Sequence, residues 1–267
     1  MEIIDAWAQH PTKRFLEEPY FDSLKRWTGQ EFEAVPLEST VDAMTSAGVG
    51  KALVPAWYGP KGPLISNEEV LEITKLHPEL FVGIASADLT DPVAAVRALR
   101  HYVTEHGFKG LRIVQWVWEL APTHPLYYPL YVECVELNVP VCLQVGHTGP
   151  LRTSETGRPL HIERIALDFP DLKIVCGHIG YPWHVEMIAV ATKFPNVYID
   201  TSAYLPKRYP PELVDYMKAH GKRKVMFGSN YPMITPKACL KELSLLDLEE
   251  EIRDLFLCKN ARGVFGI

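Results

Sequence analysis

The sequence lacks any pairing pattern among its cysteines. Cys134, Cys142, Cys176, Cys239 and Cys258 are odd in number and none has C-x-x-C spacing, which argues against a disulfide framework and against a cysteine zinc site. Most sit in apolar runs, as small buried hydrophobes do, and suit a reducing cytoplasm. There is no apolar run of membrane-spanning length and no signal-peptide pattern, so no membrane role is expected. Basic residues are dispersed and outnumbered, 27 Lys and Arg against 33 Asp and Glu, which argues against a nucleic-acid surface. Asp5-Ala6-Trp7-Ala8-Gln9-His10 is not a glycine-rich phosphate loop, and Gly177-His178-Ile179-Gly180 has its glycines at the wrong spacing for one. No internal repeat or low-complexity linker interrupts the chain.

What is present is a chain of 267 residues, 47% hydrophobic and 22% charged, enough for one α/β domain spanning 1–267. Short apolar, β-branched runs recur at 3–7, 51–55, 81–85, 110–114, 139–145, 173–176, 197–199 and 224–227. Their near-continuous apolar character predicts parallel strands buried on both faces. Helix signals fall between them. Ser66 stands at capping-box spacing before Glu69, and Asp91-Pro92 opens an amphipathic stretch that Gly107 stops. Further helices are predicted at 128–137, 160–168, 182–193, 211–220 and 248–258. Eightfold strand–helix alternation predicts a (β/α)8 TIM barrel, with an open doubly wound sheet as the alternative. Residues 10–37, with Phe15, Phe21, Trp27 and Phe32, read as a long β1–α1 insertion: a lid, an oligomer contact, or a surface loop packing its own aromatics.

Four segments carry a resemblance. They are Ile4-Asp5-Ala6-Trp7-Ala8-Gln9, Gln144-Val145-Gly146-His147-Thr148-Gly149, Val175-Cys176-Gly177-His178-Ile179-Gly180 and Phe227-Gly228-Ser229-Asn230-Tyr231-Pro232. In order and spacing they resemble the amidohydrolase-related family, also called amidohydrolase 2. Its pattern is D-A-H-x-H after strand one, H-T-G after strand five, H-x-G after strand six and G-S-D-Y-P after strand eight. Pro195 to Ser202 resembles its seventh strand. The resemblance implies a barrel whose mouth holds a divalent metal, zinc foremost, that polarises a carbonyl or activates water while an aspartate handles the proton.

This sequence departs from that pattern where the metal would bind. Trp7 and Gln9 stand in the two strand-one histidine positions and Asn230 stands for the aspartate, so only His147 and His178 match. Two imidazoles fall short of the three protein ligands of a catalytic zinc. A third would come from Asp200, Gln9, Asn230, Gln115 or His184, or the site holds no metal at all. His10 should face away from Gln9 and reads as a loop histidine. His147, His178 and Asn230 are the candidate catalytic residues, with His147 and His178 as metal ligands if a metal binds; the bland reading of both histidines is satisfied polar groups at the rim. Trp7, Gln9, Arg112, Trp116, Arg152 and Trp183 are the candidate substrate contacts. Trp57 and Trp118 also follow strands, and each tryptophan either lines a pocket or roofs the core. Arg112, in an apolar strand, needs a buried partner or a ligand; Arg152 and Arg158 read as loop charge or as carboxylate anchors. Ser202, His178 and Asp200 form a Ser-His-Asp set by type only, since no G-x-S-x-G elbow exists.

Two functions are therefore expected. One is a hydrolase or decarboxylase acting on a small cyclic or aromatic carboxylate with a reduced or absent metal site. The other is a non-catalytic subunit of a heteromeric enzyme built from related barrels, such as a metal-dependent oxygenase. A small-molecule binding protein is a weaker third. The partners expected are a small-molecule substrate and a second barrel, as a homodimer or a heteromer.

Overall fold

The computed structural model describes residues 2–29 and 33–267; Phe32, counted above among the aromatics of the insertion, lies outside them. Eight parallel strands form the scaffold: β1 Ile3–Asp5, β2 Val49–Pro55, β3 Phe81–Ile84, β4 Leu111–Ile113, β5 Val141–Gln144, β6 Ile174–Gly177, β7 Val197–Asp200 and β8 Val225–Met226. They pair in chain order as β1-β2-β3 and as β4 through β8. Single parallel bridges join the two sheets, Ala85 to Leu111 on one side and Ala8 to Tyr231 on the other, where Ala6 N also donates to Phe227 O at 2.9 Å. This is the (β/α)8 barrel.

The helices form where the local signals placed them. Ser66 and Glu69 make a reciprocal capping box at Asn67–Leu76. Asp91 caps Pro92–His106, and Gly107 ends it in the left-handed conformation that a glycine adopts without steric cost. The expected helix 248–258 starts instead at Glu250 and passes into a π-turn, Leu255–Lys259, before a last helix, Asn260–Phe265. Among the described residues no helix is long and apolar enough to cross a membrane. All five cysteines are buried and free.

The barrel interior is closed by Ile4, Leu53, Ile84, Cys142, Val175 and Met226, one residue from each of six strands. β4 contributes Arg112 instead, fully buried beside Cys142. The insertion after β1 is ordered by two helices, Lys13–Leu16 and Asp22–Thr28. Thr12 ties it down: its hydroxyl caps the first helix by accepting from Phe15 N and donates to Leu64 O at 2.5 Å. Leu64 belongs to an antiparallel hairpin after β2, with arms Trp57–Gly59 and Gly62–Ile65. Insertion and hairpin together roof the C-terminal mouth, the end where barrel sites form.

Candidate active site

The floor of the mouth is an indole. Trp7, just past β1, is fully buried and extends over β6. A Cβ on Gly177 would lie 2.5 Å from Trp7 Cζ3, and one on Gly228 would lie 3.2 Å from Trp7 Cβ. Glycine at 177 is what leaves room for the ring. Beneath it the Arg112 guanidinium carbon sits 3.2 Å from the indole centroid, a cation–π contact out of water. Burial lowers the Arg112 pKa to about 10, against the opposing influence of Cys142 and Asp200, so the group is still charged at neutral pH. Trp7 and Arg112 were both candidate substrate contacts; here they meet each other. The two side chains are already in contact, and no ring fits between them.

Above the floor lies a cavity of about 140 Å³. Phe15, Phe21, Trp57 and Trp116 form one wall, with Phe15 edge-on to Trp57 at 4.9 Å and Trp57 6.1 Å from Trp116. Gln9, Gln144, His178 and Asn230 supply a polar edge. Trp116 is held by its indole N–H, which donates to Gln144 Oε1.

His178 sits on the floor tryptophan, ring centroids 4.7 Å apart, and is part of a buried relay. Ser202 Oγ donates to Asp200 Oδ1, and Ser202 N donates to the same oxygen at 2.9 Å. Because the hydroxyl proton is committed to the carboxylate, the 2.7 Å contact between His178 Nδ1 and Ser202 Oγ requires Nδ1 to donate. Nε2 then keeps its lone pair. Burial, reinforced by the charge of Arg112, lowers the His178 pKa to about 3, so the ring is neutral. Burial raises Asp200 to about 6, against its hydrogen bonds from Ser202 and the charge of Arg112. Asp5, which accepts from Ser229 N and Trp7 N, is raised by burial to about 7.

On the opposite side the two amides hold each other. Gln9 Nε2 donates to Asn230 Oδ1 at 3.3 Å and to Tyr231 O at 2.5 Å. His178, Ile179, Ala203 and Asn230 all have positive φ without being glycine, four of the seven such residues among those described. Such backbone costs about 1–3 kcal/mol per residue and collects at functional sites. Three of the four, His178, Ala203 and Asn230, line the cavity, and Ile179 follows His178.

The remaining expected contacts are dispersed. His147 lines the cavity but is exposed, its Nδ1 3.3 Å from Ser154 Oγ and its ring edge-on to Trp27 at 6.1 Å. Arg152 is exposed over the Tyr20 ring at 5.1 Å, outside the main cavity. Trp183 also lies off it, 4.7 Å from the guanidinium of Arg158, which itself pairs with Glu186. His10 bonds Thr40 at 2.8 Å, a loop role. Gln115 donates to Gln144 O and, at 3.3 Å, to Thr156 O; His184 faces Glu212 at 3.6 Å. Trp57, Phe15 and Phe21 were not among the expected site residues, although each stood in a segment already marked, either as following a strand or as the aromatic insertion.

Comparison with known proteins identifies the family and the fold. A family model described as Amidohydrolase matches residues 4–267. The chain belongs to this amidohydrolase family. It is 26% identical over 218 residues to a gamma-resorcylate decarboxylase of Rhodococcus jostii, a match covering 62% of this chain and 65% of that one, less than two thirds of the relative's length. An uncharacterised TIM-barrel protein of Bordetella bronchiseptica superposes with a TM-score of 0.85 at 24% identity, over 100% of this chain and 99% of that one. A dihydroxybenzoic acid decarboxylase of Polaromonas, solved with bound manganese and 2-nitroresorcinol, gives 0.79 at 18% identity, over 99% and 97%.

The donors in this amidohydrolase do not fit the metal carried by the Polaromonas relative. Among the described residues no three His, Cys, Asp or Glu side chains are grouped to hold an ion. The indole of Trp7 offers no lone pair, Gln9 and Asn230 offer only neutral amide oxygens, and His178 Nε2 is left as the one buried imidazole donor at the cavity.

Proposed function

We propose that this chain is a decarboxylase or hydrolase acting on a small aromatic or cyclic carboxylate. The observation that carries the reading is the size and polarity of the cavity. An apolar cavity of roughly 150 Å³ takes one benzene ring, and this one measures about 140 Å³ with a single polar edge. The decarboxylase names of the relatives support the same class. On this reading the ring lies against Trp57 and Trp116. The carboxylate, or a hydroxyl beside it, meets His178 Nε2 and the amides of Gln9 and Asn230. The Trp57 Nε1 hydrogen and Gln9 Oε1, both buried without a partner, supply one further donor and one further acceptor. A neutral imidazole accepts from a hydroxyl or an acid and can pass a proton to a ring carbon as carbon dioxide leaves. His147, exposed at the rim, is assigned to substrate entry. Zinc would find two imidazoles at most here and is not part of the proposal. Five unpaired cysteines suit the cytoplasm as the working compartment. A homodimer is retained as part of the proposal.

The test is to incubate the protein with 2,6-dihydroxybenzoate and follow carbon dioxide release and loss of substrate absorbance. Turnover in the wild type, abolished in His178→Ala, is expected. The absence of turnover across a panel of hydroxybenzoates and cyclic lactones, with ligand still bound, would overturn it. That outcome favours the auxiliary-subunit reading, which the incomplete donor set also suits.

A further inference from the structure

We infer that this barrel carries its site cation on Arg112 instead of on a metal ion, with the indole of Trp7 as the seat that holds it. Three independent observations converge. The first is volume. Trp7 lies against the backbone at Gly177, the end of β6, and at Gly228, just past β8, so an indole fills the space where the strand-one position faces those two strand ends. The second is donor chemistry. Of the five positions that carry the family's metal motif, one is this indole and two are amides, of which Gln9 donates to Asn230. His178, its Nδ1 committed to Ser202, offers Nε2 as a single buried donor, and the fifth, His147, stands out in the solvent-facing loop, so no three strong donors converge.

The third observation is the cation itself. Arg112 is fully buried, none of its three guanidinium nitrogens makes a hydrogen bond of acceptable geometry, and the polar side chain beside it is the Cys142 thiol. A guanidinium in that setting is held by the ring it stacks on and by the field of nearby carboxylates. Asp200 is such a group: its charge acts on Arg112, it is fully buried, and its Oδ2 has no hydrogen-bond partner. One fixed positive charge beneath the mouth, faced by a buried carboxylate, occupies the role that a metal ion's charge would otherwise fill. A divalent ion placed over the same floor would be repelled by Arg112, so the two cations exclude each other. The inference concerns this chain's own charge and does not depend on which substrate is turned over.

The test is equilibrium dialysis of the intact protein against manganese and, separately, zinc, followed by elemental analysis. The wild type is expected to retain far less than one ion per chain. In parallel, the strand-end donors are restored with Trp7→His, Gln9→His and Asn230→Asp, once with Arg112 kept and once with Arg112→Met. Manganese should bind at least about tenfold more tightly in the Arg112→Met background, because a like charge has been removed. Retention of one manganese or zinc per wild-type chain would overturn the inference. Equal affinity in the two restored backgrounds would overturn it as well. Should the restored variants fail to fold by circular dichroism, the wild-type dialysis decides the matter alone.

Discussion

The site contains two imidazole–indole pairs that differ in almost every physical respect. His178 rests on Trp7, which is fully buried, and His147 faces Trp27, which is 68% exposed. The first imidazole is fixed through Ser202 to Asp200 and kept neutral by burial and by Arg112. The second has one 3.3 Å contact with Ser154 and open solvent around it. Both histidines match the same family pattern, yet only one has a prearranged proton inventory. Inheriting a motif position therefore does not confer its chemistry; the surrounding packing does.

Three experiments break or sharpen that contrast. The largest effect is expected from the tryptophans. Trp7→Ala removes a ring packed on all sides and should cost about 3–5 kcal/mol in denaturant unfolding, whereas Trp27→Ala should stay within about 0.5 kcal/mol. Comparable losses would mean that the two pairs are not different in kind. Next in size is the relay. Ser202→Ala strands the His178 Nδ1 hydrogen and leaves Asp200 Oδ1 with the backbone N–H of residue 202 alone, and about 1–3 kcal/mol of stability should be lost. Nitrogen-15 shifts of the His178 ring should show the loss of a single tautomer. An unchanged tautomer would remove Ser202 from the account.

The third experiment is pH. His178 has a folded pKa of about 3, below its ordinary value of 6.5. The unfolded chain therefore binds the extra proton, and the stability that a neutral His178 contributes is present above pH 6.5 and lost as pH falls toward 3. Asp5 and Asp200 act in the opposite sense, since their raised values, about 7 and about 6, stabilise the protein at low pH and lose that effect as pH rises. Comparing wild type with His178→Gln isolates the histidine. The difference between the two should shift by about 2 kcal/mol against the wild type between pH 6.5 and 4.5. A flat difference at His178 would show that the ring protonates freely in the folded protein.

Much of the scaffold was legible in the sequence because its signals are local. Near-continuous apolar runs marked the strands, Ser66 with Glu69 marked a helix start, and Gly107 marked a helix end. The hairpin at 57–65 was not read, although Gly59-Pro60-Lys61-Gly62 carries turn residues, because Pro63 weakens the second arm as a strand. The site was legible only in part. Alternation along β4 turns Arg112 into the barrel but does not say how deep its head lies, which is against the Trp7 ring. Trp57, Phe15 and Phe21 come together only through the docking of insertion on hairpin, a tertiary event with no periodic signature. The exposure of His147 follows a loop that leaves β5 through Gly146, at φ +101°, with His147 N bonded to Tyr181 O, and nothing local announces that direction.

The most direct measurement is a crystal structure of the protein soaked with 2,6-dihydroxybenzoate. The ring should stand against Trp57 and Trp116, with its carboxylate or hydroxyl within hydrogen-bond distance of His178 Nε2 and the Gln9–Asn230 amides, and the Trp7–Arg112 stack should be undisturbed. Density for the acid only at the surface beside Arg152, or with Trp7 swung away to admit it beside Arg112, would contradict the account.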